Sequence, residues 1–183
     1  MQLGKSSFLV FLIAILRIGA ALVLFYDVFL GFFATILFDC VDYWILKAWQ
    51  GNSWDNYEVI DKVLDIVPYT IMLLLSLSHP AFLFIAILFI YRMIGEIIFF
   101  ITKKEFCFII FPNLFIVAFF GLVVARSVGL VLDMTSLKHV VLLTFFFIMW
   151  WDLELNMHFY WPKYFKMYGD PLLLAKKIFR KNK

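Results

Sequence analysis

Six apolar stretches divide the chain, over residues 8–26, 28–48, 59–78, 80–101, 106–126 and 129–151. A helix rises about 1.5 Å per residue and needs about 20 apolar residues to cross the hydrocarbon of a bilayer, and each stretch approaches or meets that length. With 65% of its 183 residues hydrophobic and 24 of them Phe, the chain lies far above the roughly half-apolar composition of a soluble domain. Composition therefore excludes an ordinary water-soluble enzyme. It predicts an all-α integral membrane protein: one transmembrane domain over residues 1–183, with six transmembrane helices and a basic C-terminal tail over 152–183. The apolar run after Lys5 is too long for the core of a cleaved signal, and no small-residue cleavage site follows it, so the first span is expected to remain.

The cations orient these spans. Lys5, Lys47, Lys62, Lys103 and Lys104 fall on one side of a six-crossing arrangement, together with Lys163, Lys166, Lys176, Lys177, Arg180, Lys181 and Lys183. The other side holds little beyond His79, Arg126 and Lys138. Because the Lys- and Arg-rich side of a membrane protein is cytoplasmic, both termini are expected in the cytoplasm of a multi-pass cell-membrane protein. The closing segment PLLLAKKIFRKNK interleaves apolar and basic residues, as does a helix resting on anionic lipid, although a solvated tail that only sets orientation fits equally. Membrane lipids are the expected surroundings, a homodimer is admitted, and no nucleic-acid partner is expected.

An ionised group at membrane depth costs several kcal/mol and needs a partner, a cavity or an ion. Asp39 and Asp42, in FDCVDYW, sit three apart near the cytoplasmic end of the second span and share a helix face; Asp61 and Asp65, in IDKVLDI, sit four apart at the start of the third. A short connection joins the two helices, so antiparallel packing can bring all four carboxylates to one depth. Together they would repel unless a cation sat among them. Oxygen ligands without a Cys or paired-His set point to Mg²⁺, Mn²⁺ or Ca²⁺, with two ions suiting the charge. Helix-end aspartates countered by Lys62 and Lys47 are the structural alternative. Cys40 and Cys107 lack CxxC spacing and read as small apolar residues.

At these residues the sequence resembles the CDP-alcohol phosphotransferases, whose signature D-x2-D-G-x2-A-R-x8-G-x3-D-x3-D bridges the second and third of six transmembrane helices. Asp39-x2-Asp42 and Asp61-x3-Asp65 match both acidic pairs, Lys47 stands where the signature has Arg, and ILRIGAALVLF is similar to that family's first helix. Tyr43, Leu46 and Tyr57 replace the signature's Gly, Ala and Gly, and one extra residue separates Lys47 from Asp61. The resemblance implies metal-dependent transfer of a phosphoryl-alcohol group from a CDP-linked donor to an alcohol acceptor, at the cytoplasmic membrane surface, in phospholipid synthesis. Asp39, Asp42, Asp61 and Asp65 would be metal residues holding Mg²⁺ or Mn²⁺. Asp65 would also be the general base, and Lys47 would offset phosphate charge. The bulk of Tyr43 implies a reshaped donor pocket.

Further polar residues lie within the spans. Arg92 and Glu96 are four apart in YRMIGEIIFF, which suits either an ion pair along the helix or an Arg92 that grips a phosphate while Glu96 steadies it. Arg17 in the first span suits the same phosphate-binding role or a pairing with a carboxylate. His139 and His158 read as packing or interface residues, Trp150 and Trp151 with Asp152 and Glu154 as an interfacial belt, and Pro112-Asn113 as a kink. A cation or solute transporter, or a structural subunit, is the non-enzymatic alternative. A transporter would place its carboxylates near mid-membrane rather than near one face.

Overall fold

The computed structural model of the chain describes residues 3–50, 57–104, 106–156 and 160. Among those residues the regular structure is all helix, with no strand: α1 (Leu3–Val23), α2 (Val28–Gln50), α3 (Tyr57–Leu75), α4 (Phe82–Thr102), α5 (Phe106–Ile110), α6 (Leu114–Ser127) and α7 (Leu137–Leu155). The connection 51–56, His158 and the basic segment from 161 onward lie outside the described residues, as do the side chains of Tyr43, Leu46, Lys47 and Tyr57.

The first two helices form the expected hairpin. Asp27 N donates to Val23 O at 2.9 Å, and Asp27 Oδ1 accepts from Leu30 N at 2.9 Å, closing α1 and opening α2 within one turn. Gly31 permits this crossing, because a Cβ there would lie 2.4 Å from the Leu24 backbone nitrogen. α1 packs on α2 and α3; α4 packs on α3, α5 and α6; and α6 packs on α2 and α7.

Two expected spans differ in extent. The stretch 106–126 is not one helix: it breaks at Phe111–Asn113 into α5 and α6. Pro112 offers no N–H and disfavours helix in the residue before it, while Asn113 restarts the chain by accepting from Ile116 N at 3.3 Å. The stretch 129–151 begins as a loop, and α7 starts only at Leu137. Gly129 takes φ +71° and Leu130 N donates back to Ala125 O at 2.7 Å, a C-terminal wrap that ends α6. The Asp133 carboxylate then accepts from the backbone N and the hydroxyl of Thr135, both at 2.8 Å, which holds its pKa below the usual value. α7 continues to Leu155, past the expected start of the tail at residue 152.

The core is aromatic and aliphatic, with Phe115, Phe119, Leu24, Met72 and Ile85 fully enclosed. The outside is apolar as well: Phe11, Ile15, Phe29, Leu37, Ile87, Ile97, Val141, Phe145 and Ile148 are among many large hydrophobic side chains left exposed. Arg17, Asp42, Asp65, Arg92, Glu96, Asn113 and Glu154 are buried. That reverses the polarity of a soluble protein. By length and composition one described helix, Phe82–Thr102, is long and apolar enough to cross a membrane, with Phe8–Val23 and Leu114–Ser127 as shorter apolar helices.

Candidate functional site

Helix spacing sets up the site. Asp39 and Asp42 lie on one face of α2, and Asp61, Lys62 and Asp65 lie along the first half of α3. Asp39 stands at mid-length of α2, whereas the sequence reading set it near one end of that span. Packing of α1 on both helices carries Arg17 into the space between the two pairs.

The Arg17 guanidinium meets all four carboxylates. Nη1 donates to Asp42 Oδ2 at 2.6 Å and to Asp61 Oδ1 at 2.5 Å; Nη2 donates to Asp39 Oδ1 at 2.6 Å and to Asp65 Oδ1. Lys62 Nζ binds the second oxygens of the α3 pair, Asp61 Oδ2 at 2.9 Å and Asp65 Oδ2 at 3.2 Å. The side chains of Arg17, Asp42 and Asp65 are 5% exposed or less, Asp61 is 17% exposed and Asp39 37%, so the cluster opens on the Asp39 side. Among the described residues the positive charge that faces the aspartates comes from Arg17 and Lys62, and Lys62 takes the counter-ion role of the structural alternative. Arg17 takes the carboxylate-pairing role of its two alternatives.

These carboxylates can also receive a metal. One oxygen from each of Asp39, Asp61 and Asp65 lies within 4.8 Å of the others, and three converging hard-oxygen donors suit Mg²⁺ or Mn²⁺ better than a softer ion. Asp42 stands beside them through its shared Arg17 contact.

Arg92 lies outside this cage. Its Nε is 3.0 Å from Glu96 Oε1, a charge contact whose angle falls short of a hydrogen bond, and its Nη1 donates to Phe111 O at 3.1 Å. Lys62 Nζ and the Arg92 guanidinium carbon lie 5.3 and 4.4 Å from the centre of the Phe108 ring, which links the cage to the Arg92–Glu96 pair.

A second buried network escaped the sequence reading. Asn113 Nδ2 donates to Tyr69 Oη at 2.6 Å, and Glu154 Oε1 accepts from Asn113 N at 3.3 Å and from Trp150 Nε1 at 3.1 Å. Glu154 is therefore buried at the α5–α6 break rather than placed in an interfacial belt. Its signal in the sequence was an acidic residue four positions after Trp150, within reach of a Pro-Asn break that needs acceptors. No family model, characterised protein or solved structure matches this chain, so its chemistry is read from the site itself.

Proposed function

We propose that the chain is a multi-pass membrane enzyme in which the four-aspartate cage binds divalent metal and transfers a phosphoryl-alcohol group from a CDP-linked donor to an alcohol, in phospholipid synthesis. The observation that carries this reading is the convergence of both acidic pairs, from separate helices, on one buried volume with three carboxylate oxygens within 4.8 Å. The outward apolar side chains and inward charges support a bundle in lipid. The six apolar stretches support six crossings, and the one-sided distribution of Lys and Arg supports placing both termini in the cytoplasm.

Asp39, Asp61 and Asp65, whose oxygens converge, would hold Mg²⁺ or Mn²⁺, with Asp42 beside them. A metal held there would neutralise the donor pyrophosphate and polarise the bond to the departing CMP. Asp65 takes the acceptor proton as the acceptor oxygen forms its bond to phosphorus and the bond to CMP breaks. Lys47 offsets phosphate charge, and the more exposed Asp39 side is where substrate meets the cage. Arg92 supports the cage through Phe108, and contact with a lipid phosphate would require it to leave Glu96.

The test is release of CMP from CDP-linked lipids by purified protein with Mn²⁺ and an alcohol. Asp65→Asn should lower turnover by a factor on the order of 10² to 10⁴, the usual contribution of a placed base. Tyr43→Gly should improve donor binding. Absence of turnover and of nucleotide binding in wild type and in Tyr43→Gly contradicts the assignment.

A non-catalytic cluster is favoured by one observation: Arg17 already engages every carboxylate of the cage. In that case the ion pairs only fasten α1 to α2 and α3, and divalent metal does not bind.

A further inference from the structure

The cage contains a cation that belongs to the chain, placed where its carboxylates converge. Arg17 uses one oxygen of each aspartate, and Lys62 uses the other oxygen of Asp61 and of Asp65. Both oxygens of Asp65 are thus engaged by cations. A divalent ion drawing on Asp39, Asp61 and Asp65 would need oxygens that now face the guanidinium. It would also bring two further positive charges against Arg17 in a site with little water to screen them.

We propose that Arg17 is an internal competitor of the metal, a positioning residue that preassembles the four carboxylates and withdraws when the ion binds, freeing the carboxylate oxygens it now engages. This rests on the metal reading above and adds to it a gate made of the protein's own side chain. In its closed form Arg17 prevents the like-charge repulsion that would otherwise spread α2 from α3. In its open form the same carboxylates face metal and substrate. Arginine suits the closed form because its planar fork presents several N–H donors at once, whereas the single ammonium of lysine cannot span four carboxylates in the same geometry.

Full-length wild type, Arg17→Gln and Arg17→Lys in lipid nanodiscs, titrated with Mn²⁺ alone, test this. Arg17→Gln should bind Mn²⁺ about tenfold more tightly or better, within the usual range of coupled sites, with Arg17→Lys between it and wild type. In chelator Arg17→Gln should melt below wild type, and saturating Mn²⁺ should close most of that gap. Should Arg17→Gln fail to fold, Arg17→Lys and wild type suffice: the clamped guanidinium protons of wild type, assigned by their loss in Arg17→Lys, should become exchangeable as Mg²⁺ is added. Equal or weaker Mn²⁺ affinity in the variants, or guanidinium signals unmoved by saturating Mg²⁺, overturns the competition and leaves the metal site standing. Failure of wild type and variants alike to bind Mn²⁺ overturns both.

Discussion

Arg17 Nη1 lies 2.6 Å from Asp42 Oδ2, with the two side chains only 5% and 4% exposed, so α1 and α2 are joined through a charge pair almost shut off from solvent. Removing one partner of such a pair strands the other and costs about 3–5 kcal/mol, even where replacing both would be nearly neutral. In metal-free protein Arg17→Gln should therefore lower the melting temperature by roughly 10 °C, at about 2–4 °C per kcal/mol for a chain of this size. Asp42→Asn should cost less, because Arg17 keeps three aspartates. The double variant should lose less than the sum of the two, and additive losses in thermal melts would show that the pair is not coupled.

The α1–α2 hairpin depends on one glycine. A Cβ at Gly31 would meet the Leu24 backbone nitrogen at 2.4 Å and its Cα at 2.6 Å, and a backbone cannot yield as a flexible side chain can. Gly31→Ala should destabilise by about 1–3 kcal/mol, the usual cost of overpacking. Gly19 on the facing helix has nothing within 4 Å of its added Cβ, so Gly19→Ala should be neutral or stabilising by up to about 1 kcal/mol. Thermal melts of the two variants in one lipid should differ in this direction, and an equal loss in both would count against the close crossing.

How much of this was legible in the sequence follows the range of the interactions. The i,i+3 and i,i+4 acidic pairs were readable because one helix alone puts them on one face. The break at Pro112-Asn113 was readable as a kink, since proline acts locally. The loop over 129–136 was not, because Leu130, Val131 and Leu132 are as apolar as any span and hydropathy does not distinguish loop from helix. Arg17 was legible only as an alternative. Its partners lie 22 to 48 residues away, and which role it takes depends on how α1 packs. The Tyr69–Asn113–Glu154 network depends on packing in the same way.

The orientation can be checked without purification. Tags at either terminus should be shielded from the outside of intact cells, and a tag at Ser78 or His79, in the turn between α3 and α4, should be reachable. The motivation is the concentration of Lys and Arg in the segments assigned to the cytoplasm. An externally accessible C-terminus would reverse the bundle and move the cage to the opposite face.

Divalent metal in the aspartate cage is the claim on which the chemistry depends, and titration of full-length protein in nanodiscs with Mn²⁺, followed by its spin resonance, examines it directly. Outer partners of metal ligands are worth about 10–100-fold in affinity, so losing a ligand carboxylate in Asp61→Asn should weaken binding by at least that much. Glu96→Gln, outside the cage, should leave binding near wild type. Saturable Mn²⁺ binding by wild type, sharply weakened in Asp61→Asn alone, is the predicted result; no binding by wild type, or equal binding by wild type and Asp61→Asn, would contradict it.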